Sequence, residues 1–414
     1  MNIFAALKKS SYQAILHLFS NSVIQVFVAF ATNIILVRSI SPQTFGSFAI
    51  LMAAIGFVFS IFSLRLSIQV INTPKNEYNN LFIAKMNSVF FAEILIIFFF
   101  SLLVLFFTKH FQFWALVILL ALLTQHFVDY IKCFFERSMN YKSLARVETV
   151  SRLAGHFSAI FAIYIFPSQG FEILIFREFL TATSMLAGLW FINALIPFAF
   201  SLPSVITVKN VFLKIKNIWF EGALEQSFTR LTLISVSYIS NSAGVGIFSQ
   251  AQRLSSLLDQ FIAPIYARFS MNWFSRQENA AKRLSGMYIL TFSLLFINSI
   301  VVLFLYYFIE SIVLFLYGEQ WAEVAQAMIY LFGLIIFRSP FEALKSYCYS
   351  QNILKIIYLV RMLQFFILGL ATFGNIDFFG EGINPVNIAL SLSYGMGFFL
   401  IIILIPIIEL KQKK

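Results

Sequence analysis

Apolar runs of about twenty residues recur from end to end of this 414-residue chain, and they constrain its fold more than any other feature. A helix needs about 20 apolar residues to cross a hydrocarbon core about 30 Å thick. Charged residues make up 11% of the chain and hydrophobic residues 60%, with a mean hydropathy of +0.86. A soluble domain carries roughly 25% charge. The fold expected is therefore an all-α polytopic membrane protein, not a globular domain with one anchor.

Twelve spans are expected, roughly at 15–37, 45–64, 83–107, 113–134, 147–166, 171–198, 212–239, 245–269, 286–309, 323–344, 355–374 and 386–408. Lys8-Lys9 followed by an apolar run looks like a signal peptide. The run is too long and lacks a small-residue cleavage site, so it is read as the first span. With the N-terminus inside, 23 of the 29 lysines and arginines fall in or beside cytoplasmic loops. Only Arg38 and Lys109 fall in outer connections, which instead carry Glu310, Glu319, Asp377 and Glu381. This is the positive-inside pattern, and it predicts two cytoplasmic termini. It also accounts for the net charge of +11 without a nucleic-acid partner.

Glu221 to Pro264 holds the most telling charges. Two apolar segments flank the turn Ser240-Asn241-Ser242-Ala243-Gly244. The first carries Glu225 and Arg230, the second Arg253 and Asp259. At ~1.5 Å per residue both arginines sit roughly 14 Å below the turn, near mid-membrane. Charges there are costly and persist only against a polar cavity or a partner. Arg253, Ser256 and Gln260 share one helical face, and Gln226 lies four residues before Arg230. Glu221, Glu225, Thr229 and Thr232 line a neighbouring face. One reading is a cationic lumen for an anionic solute. The other is local salt bridges, Arg253 with Asp259 and Arg230 with Glu225. The lumen is favoured.

Span 1 bears a polar stripe of His17, Asn21, Gln25 and Thr32, which in lipid must face protein or water. Helix–helix hydrogen bonding is its alternative role. Span 3 buries Glu93 with no local partner. Span 4 buries Asp129, three residues before Lys132, which suggests a local ion pair. Arg177 and Glu178 are adjacent in span 6 and are expected to point in different directions. Trp114 and Trp321 are read as an interfacial aromatic belt. His126 is read as packed. Cys133 and Cys348 are read as free thiols in packed helices, and no metal-ligand cluster or cofactor motif is present.

The chain also repeats. Phe45-Gly46-Ser47-Phe48 opens span 2, and Val245-Gly246-Ile247-Phe248 opens span 8. Spans 4 and 10 both start near a Trp and end in a basic segment. Two pseudosymmetric six-helix lobes are expected, 1–204 and 205–414, joined near Pro203 and Lys209 around a central cavity.

Motifs along the chain now show a resemblance. Ile35 to Ile50 (ILVRSISPQTFGSFAI), Gly244 to Leu254 (GVGIFSQAQRL), Pro264, Leu316 to Trp321 (LYGEQW) and Gly380 to Asn384 (GEGIN) resemble segments of polysaccharide-biosynthesis flippases, with Phe248 where Tyr is usual. In this order, on twelve spans, the matches resemble the O-antigen flippase (Wzx-type) branch of the multidrug/oligosaccharidyl-lipid/polysaccharide exporter superfamily. The resemblance implies translocation of undecaprenyl-diphosphate-linked oligosaccharide, an O-antigen or related repeat unit, from the cytoplasmic to the periplasmic leaflet of the bacterial inner membrane. It also implies a V-shaped fold and a cationic cavity. The span count separates the chain from the fourteen-span peptidoglycan-precursor flippases of that superfamily.

Under this reading Arg230 and Arg253 would hold the diphosphate, because guanidinium donors bind two oxygens at once. Gln226, Ser256, Gln260, Asn21 and Gln25 would serve sugar hydroxyls. Glu93, Glu225 and Asp259 are candidates for ion coupling. No enzyme chemistry is expected: no nucleophile–base pair or phosphate cradle is present. The expected partners are the lipid-linked oligosaccharide and membrane lipid, with other polysaccharide assembly proteins as candidates. The alternatives are a drug/cation antiporter of the same superfamily, which Arg230 and Arg253 oppose, and a membrane polysaccharide polymerase, which the short outer connections disfavour.

Overall fold

A computed structural model describes residues 24–74, 76–107, 112–137, 141–192, 201–257, 274, 279–351, 353–374 and 382–412. Their regular structure is helical. In order the helices are α1 (Ile24–Ser39), α2 (Pro42–Phe62), α3 (Leu66–Asn72), α4 (Asn80–Phe107), α5 (Phe113–Arg137), α6 (Tyr141–Ile165) and α7 (Gly170–Phe191). There follow α8 (Val205–Ile239), α9 (Ser242–Ser255), α10 (Ala280–Tyr317), α11 (Glu323–Tyr330), α12 (Phe332–Ser350), α13 (Leu354–Phe373) and α14 (Asn384–Gln412).

Among the described residues seven helices are long and apolar enough to cross a membrane: α2, α4, α5, α7, α10, α13 and α14. The pair α11 and α12 passes together as an eighth, bent by 54°. A helix also overlies each remaining expected span. Polar and charged side chains lower the hydropathy of α6 and α8, and α1 and α9 are described over shorter lengths. The apolar surface is turned outward: only 22% of the most apolar stretch of α10 is buried, and Phe99, Phe107, Phe296 and Phe366 are exposed. Such a surface is at home in lipid, where apolar groups need no cover and the helix satisfies its own backbone. The protein is a multi-span helical membrane protein.

The chain divides into two compact units, Met1–Ile40 with Leu51–Arg230, and Ser41–Ile50 with Leu231–Lys414. In unit 1, α7 packs on α5 and α6, and the short α3 packs on α5. Leu66, Val70, Phe90, Tyr130, Phe134 and Val211 belong to one buried cluster. Phe90 stacks on Tyr130 at 3.9 Å, and the Tyr130 hydroxyl donates to Asn87 Oδ1 at 2.8 Å. The helix α3 is not anticipated by the sequence reading. It is reached through Arg65, whose left-handed backbone (φ 55, ψ 37) turns the chain after α2. At its far end Arg137 Nη1 donates to the carbonyls of Val70 (2.8 Å) and Ile71 (2.9 Å), with its guanidinium 4.1 Å above the Tyr78 ring. Cations suit helix C-termini, where carbonyls lack intrahelical donors.

In unit 2, α14 packs on α12 and α13, and α10 packs on α12. The repeated glycines meet here. A Cβ on Gly46 would overlap the Ser242 carbonyl, and one on Gly246 would overlap the Pro42 carbonyl. Each glycine lies against the carbonyl four residues before the other, so the two helix starts approach backbone to backbone, as small residues allow in membranes. The expected single span 323–344 is broken after Tyr330. Ser391 bridges the break: its hydroxyl donates to the Tyr330 carbonyl (2.5 Å) and accepts from the Leu334 amide (3.3 Å). Further along, Pro340 lacks the N–H that the Ile336 carbonyl would accept. Asn298 on α10 supplies a donor, its Nδ2 lying 2.9 Å from the Ile335 carbonyl and 3.3 Å from that of Ile336.

Two expectations are corrected. Trp321 is not an interfacial side chain but wholly buried, edge-on to Phe45 at 5.6 Å. Gly318, at φ 88, and a 3-10 turn at Glu319–Trp321 place the indole in the interior. Arg177 and Glu178 do not diverge. The arginine side chain is long enough to fold along its helix, and its Nη2 meets Glu178 Oε1 at 2.5 Å. Trp114 is half-buried. Cys133 and Cys348 are buried free thiols, as expected.

Candidate functional site

Unit 1 contains a half-open cavity of about 290 Å³ among α2, α3, α4, α5 and α8. Its apolar wall includes Met52, Phe59 and Leu122; its polar wall includes Glu93, Gln125, His126, Asp129, Gln226 and Arg230. Arg65, Ser63 and Ser67 line it at the α2–α3 turn.

Arg230 is half-buried on α8. Its guanidinium lies over Gly56 of α2, where a Cβ would come within 2.7 Å of Nε and 2.9 Å of Cζ. Among the described residues Arg230 forms no hydrogen bond or ion pair. The Arg230–Glu225 bridge offered by sequence spacing is thus not formed. Glu225 is half-buried with interactions of its own. A second cation is held differently: Arg65 Nη2 donates to the Gly222 carbonyl at 3.1 Å, and a Cβ on Gly222 would fall 2.8 Å from the Arg65 Cζ. One glycine per arginine opens the space that each guanidinium fills.

The acidic groups of the cavity differ in their partners. Asp129 accepts from Gln125 Nε2 at 3.0 Å and lies 3.4 Å from Lys132, which also reaches Glu148 at 2.5 Å. The expected local pair is therefore part of a small network. Glu93 has the partner that its own helix could not supply: His126 Nε2 of α5, 2.8 Å from Oε1.

Of the other expected site residues, Gln226 is exposed and lines the cavity. Gln25 donates to Thr149 Oγ1 at 2.9 Å, a bond between α1 and α6. Arg253 stands half-buried in the last turn of α9, and the Ser256 hydroxyl donates to its carbonyl at 2.9 Å. These two belong to unit 2. Asn21, Gln260 and Asp259 lie outside the described residues. Sequence reasoning missed Arg65, Gly56, Gln125 and His126 as members of one site. Only a polar character within otherwise apolar spans marked three of them, and nothing marked the glycine.

The geometry can be set beside known proteins. A family model described as "Polysaccharide biosynthesis protein" matches residues 35–326. The lipid II flippase MurJ, in an inward closed conformation, superposes with a TM-score of 0.68 at 14% identity, covering 95% of this chain and 87% of that one. An inward-facing multidrug resistance MATE family transporter of the MOP superfamily gives 0.59 at 14% identity, covering 94% and 96%. A MOP superfamily transporter from Pyrococcus furiosus gives 0.54 at 14% identity, covering 97% and 96%. No curated protein matches the chain. At these identities the likeness is one of fold: the helices follow the MurJ/MATE arrangement.

Proposed function

The chain belongs to the polysaccharide biosynthesis protein family, and from that premise we propose that it flips an undecaprenyl-diphosphate-linked oligosaccharide from the cytoplasmic to the periplasmic leaflet of the bacterial inner membrane. The repeat unit would be that of an O-antigen or a related polysaccharide, as in Wzx-type flippases. Twelve spans in two six-helix lobes, 1–204 and 205–414, with both termini cytoplasmic, complete the reading. The protein would act as a transporter, with no covalent step.

One observation carries the proposal. Arg230 is half-buried on a span, lines a polar cavity and has no ion pair among the described residues. An arginine at mid-helix costs about 2.5–3.5 kcal/mol on insertion scales. A diphosphate offsets that cost by accepting two charge-assisted hydrogen bonds, each worth about 1.5–3 kcal/mol. Gln226, Gln125 and Ser63 stand in the same cavity for sugar hydroxyls, while a prenyl tail stays in lipid. Arg253, Ser256, Gln260, Asn21 and Gln25 are also assigned to substrate binding. Glu93, Glu225 and Asp259 are assigned to ion coupling. Candidate partners beyond the substrate and membrane lipid are other polysaccharide assembly proteins.

Complementation of a flippase-deficient strain tests this. Arg230→Ala and Arg253→Ala should each sharply reduce surface glycan at normal membrane abundance, and Arg→Lys should retain part of it. Full transport by the double alanine variant would refute the role. Glu93 and Asp129 in the same cavity favour the rival reading, a drug/cation antiporter. Transport of an organic cation, lost on replacing Glu225 or Asp259, would decide for that rival.

A further inference from the structure

The N-terminal part of α8 has a face that the cavity leaves unused. α8 runs for 35 residues, Val205–Ile239, or about 52 Å at ~1.5 Å per residue. A hydrocarbon core is about 30 Å thick, and about 40–45 Å with both headgroup layers. Even tilted by about 40°, the steep end of the range for membrane helices, α8 rises about 40 Å. One end of it therefore lies in a headgroup layer. Charge places that end at the N-terminus: Lys209, Lys214 and Lys216 fall there, whereas Leu231 to Ile239 carry no charge. The inner side of this end is anchored. Val211 and Ile215 are buried in the unit 1 cluster that also holds Leu66 and Phe134. One turn on, Trp219 Nε1 donates to the Ile61 carbonyl at 2.9 Å, its ring 5.3 Å from that of Phe212.

The outer side presents Val205, Ile206, Lys209, Leu213, Lys216 and Phe220, all exposed and recurring at helical spacing as one stripe. Val205 is 84% exposed, Ile206 71% and Leu213 51%. Apolar side chains this open are costly against water and suited to acyl chains. Lys209 and Lys216 stand among them, about 10 Å apart along the same face. Lys214, on the flank, lies 3.9 Å from Glu77. Lys209 and Lys216 form no ion pair among the described residues. No Asp or Glu occurs between Ser201 and Phe220, so the face is purely cationic and apolar. Lysine stems can lie along acyl chains while their ammonium groups reach the phosphate layer. We propose that this face of α8 is a binding site for anionic phospholipid. The acyl chains lie against Val205, Ile206 and Leu213, and the headgroup phosphate is engaged by Lys209 and Lys216. Each lysine near an anionic membrane surface contributes roughly a fivefold gain in occupancy. The site is separate from that of the transported substrate and does not rest on the flippase reading.

The test uses the purified full chain carrying Leu213→Cys with a fluorophore attached, in liposomes of phosphatidylcholine and phosphatidylglycerol. Brominated chains, which quench at contact range, are placed on one lipid or the other. Cys133 and Cys348 are buried and leave the introduced thiol as the reactive one. Quenching by phosphatidylglycerol should exceed its share of the bilayer on the order of fivefold, and added salt should reduce that excess. Lys209→Gln and Lys216→Gln should each reduce the excess. Together they should abolish it while quenching by phosphatidylcholine persists. A label at Phe296→Cys, on α10 beside the exposed Phe292 and Ile300, should show no excess. The salt series on otherwise unaltered protein reads the same attraction should the double lysine variant not fold. Quenching at position 213 in simple proportion to each lipid's share overturns the proposal, as does an excess that survives the double variant. A label shielded from both lipids, or a disulfide between two copies through Leu213→Cys, would mean that protein covers the face, and overturns it equally.

Discussion

Replacing Gly46 or Gly246 by alanine is the sharpest perturbation that the structure suggests. The Cβ of Gly46→Ala would lie 2.6 Å from the Ser242 carbonyl carbon and 2.9 Å from the Gly246 nitrogen, besides overlapping the carbonyl oxygen. That of Gly246→Ala would lie 2.8 Å from the Pro42 carbonyl carbon. Carbon atoms rest about 3.5–4.0 Å apart at their optimum. The two helix starts must therefore separate by about 1–2 Å, since the carbonyl oxygens would lie 1.6 Å and 2.0 Å from the new Cβ atoms, and both obstacles are backbone, which cannot rotate aside. Overpacking of this kind costs about 1–3 kcal/mol. Against it, alanine in a helix gains about 1 kcal/mol over glycine. Gly369, in α13, isolates that second effect, since nothing lies within 4 Å of its Cβ position. Gly369→Ala should thus stabilise the protein, and either interface variant should melt roughly 2–12 °C below it, for a unit of this size. Because the two glycines share one contact, the double variant should lose less than the sum of the single losses. Thermal melts of purified protein, followed by fluorescence-detected size exclusion, read all four variants. If Gly46→Ala and Gly246→Ala melt with Gly369→Ala, the close approach is refuted.

Asn298→Leu should lower stability by about 1–3 kcal/mol, because the Ile335 and Ile336 carbonyls lose a donor. Adding Pro340→Ala should recover much of that in the same melt, since the restored amide can serve Ile336. Gly56→Val should displace the Arg230 guanidinium and reduce complementation about tenfold or more, on the loss of one hydrogen bond of about 1.5–3 kcal/mol; unchanged surface glycan at equal abundance would contradict it. Maleimide labelling of Cys133 and Cys348 should be slow in the native protein and rapid after denaturation, because both thiols are buried. A C-terminal reporter should be active only in a cytoplasm-sensing format.

Hydropathy alone identified a helical membrane protein, because transferring a run of some twenty apolar residues to lipid depends on the run's own composition and little on its neighbours. The Asp129–Lys132 contact was legible for a similar reason: three residues apart on a helix, the two side chains share a face. The kinship of Gly46 and Gly246 was legible as a repeated motif, but not that each lies against the other's helix. Nothing in the order of residues paired Glu93 with His126, 33 positions away, or placed Gly56 beneath Arg230. Nor did it bury Trp321 or break the helix after Tyr330. Each of these depends on which helix packs against which, and on backbone groups such as the Tyr330 carbonyl finding a donor on a distant helix. Composition decides what enters the membrane. The partners that buried polar groups find there are decided by packing between segments far apart in the chain, so only the tertiary structure could show them.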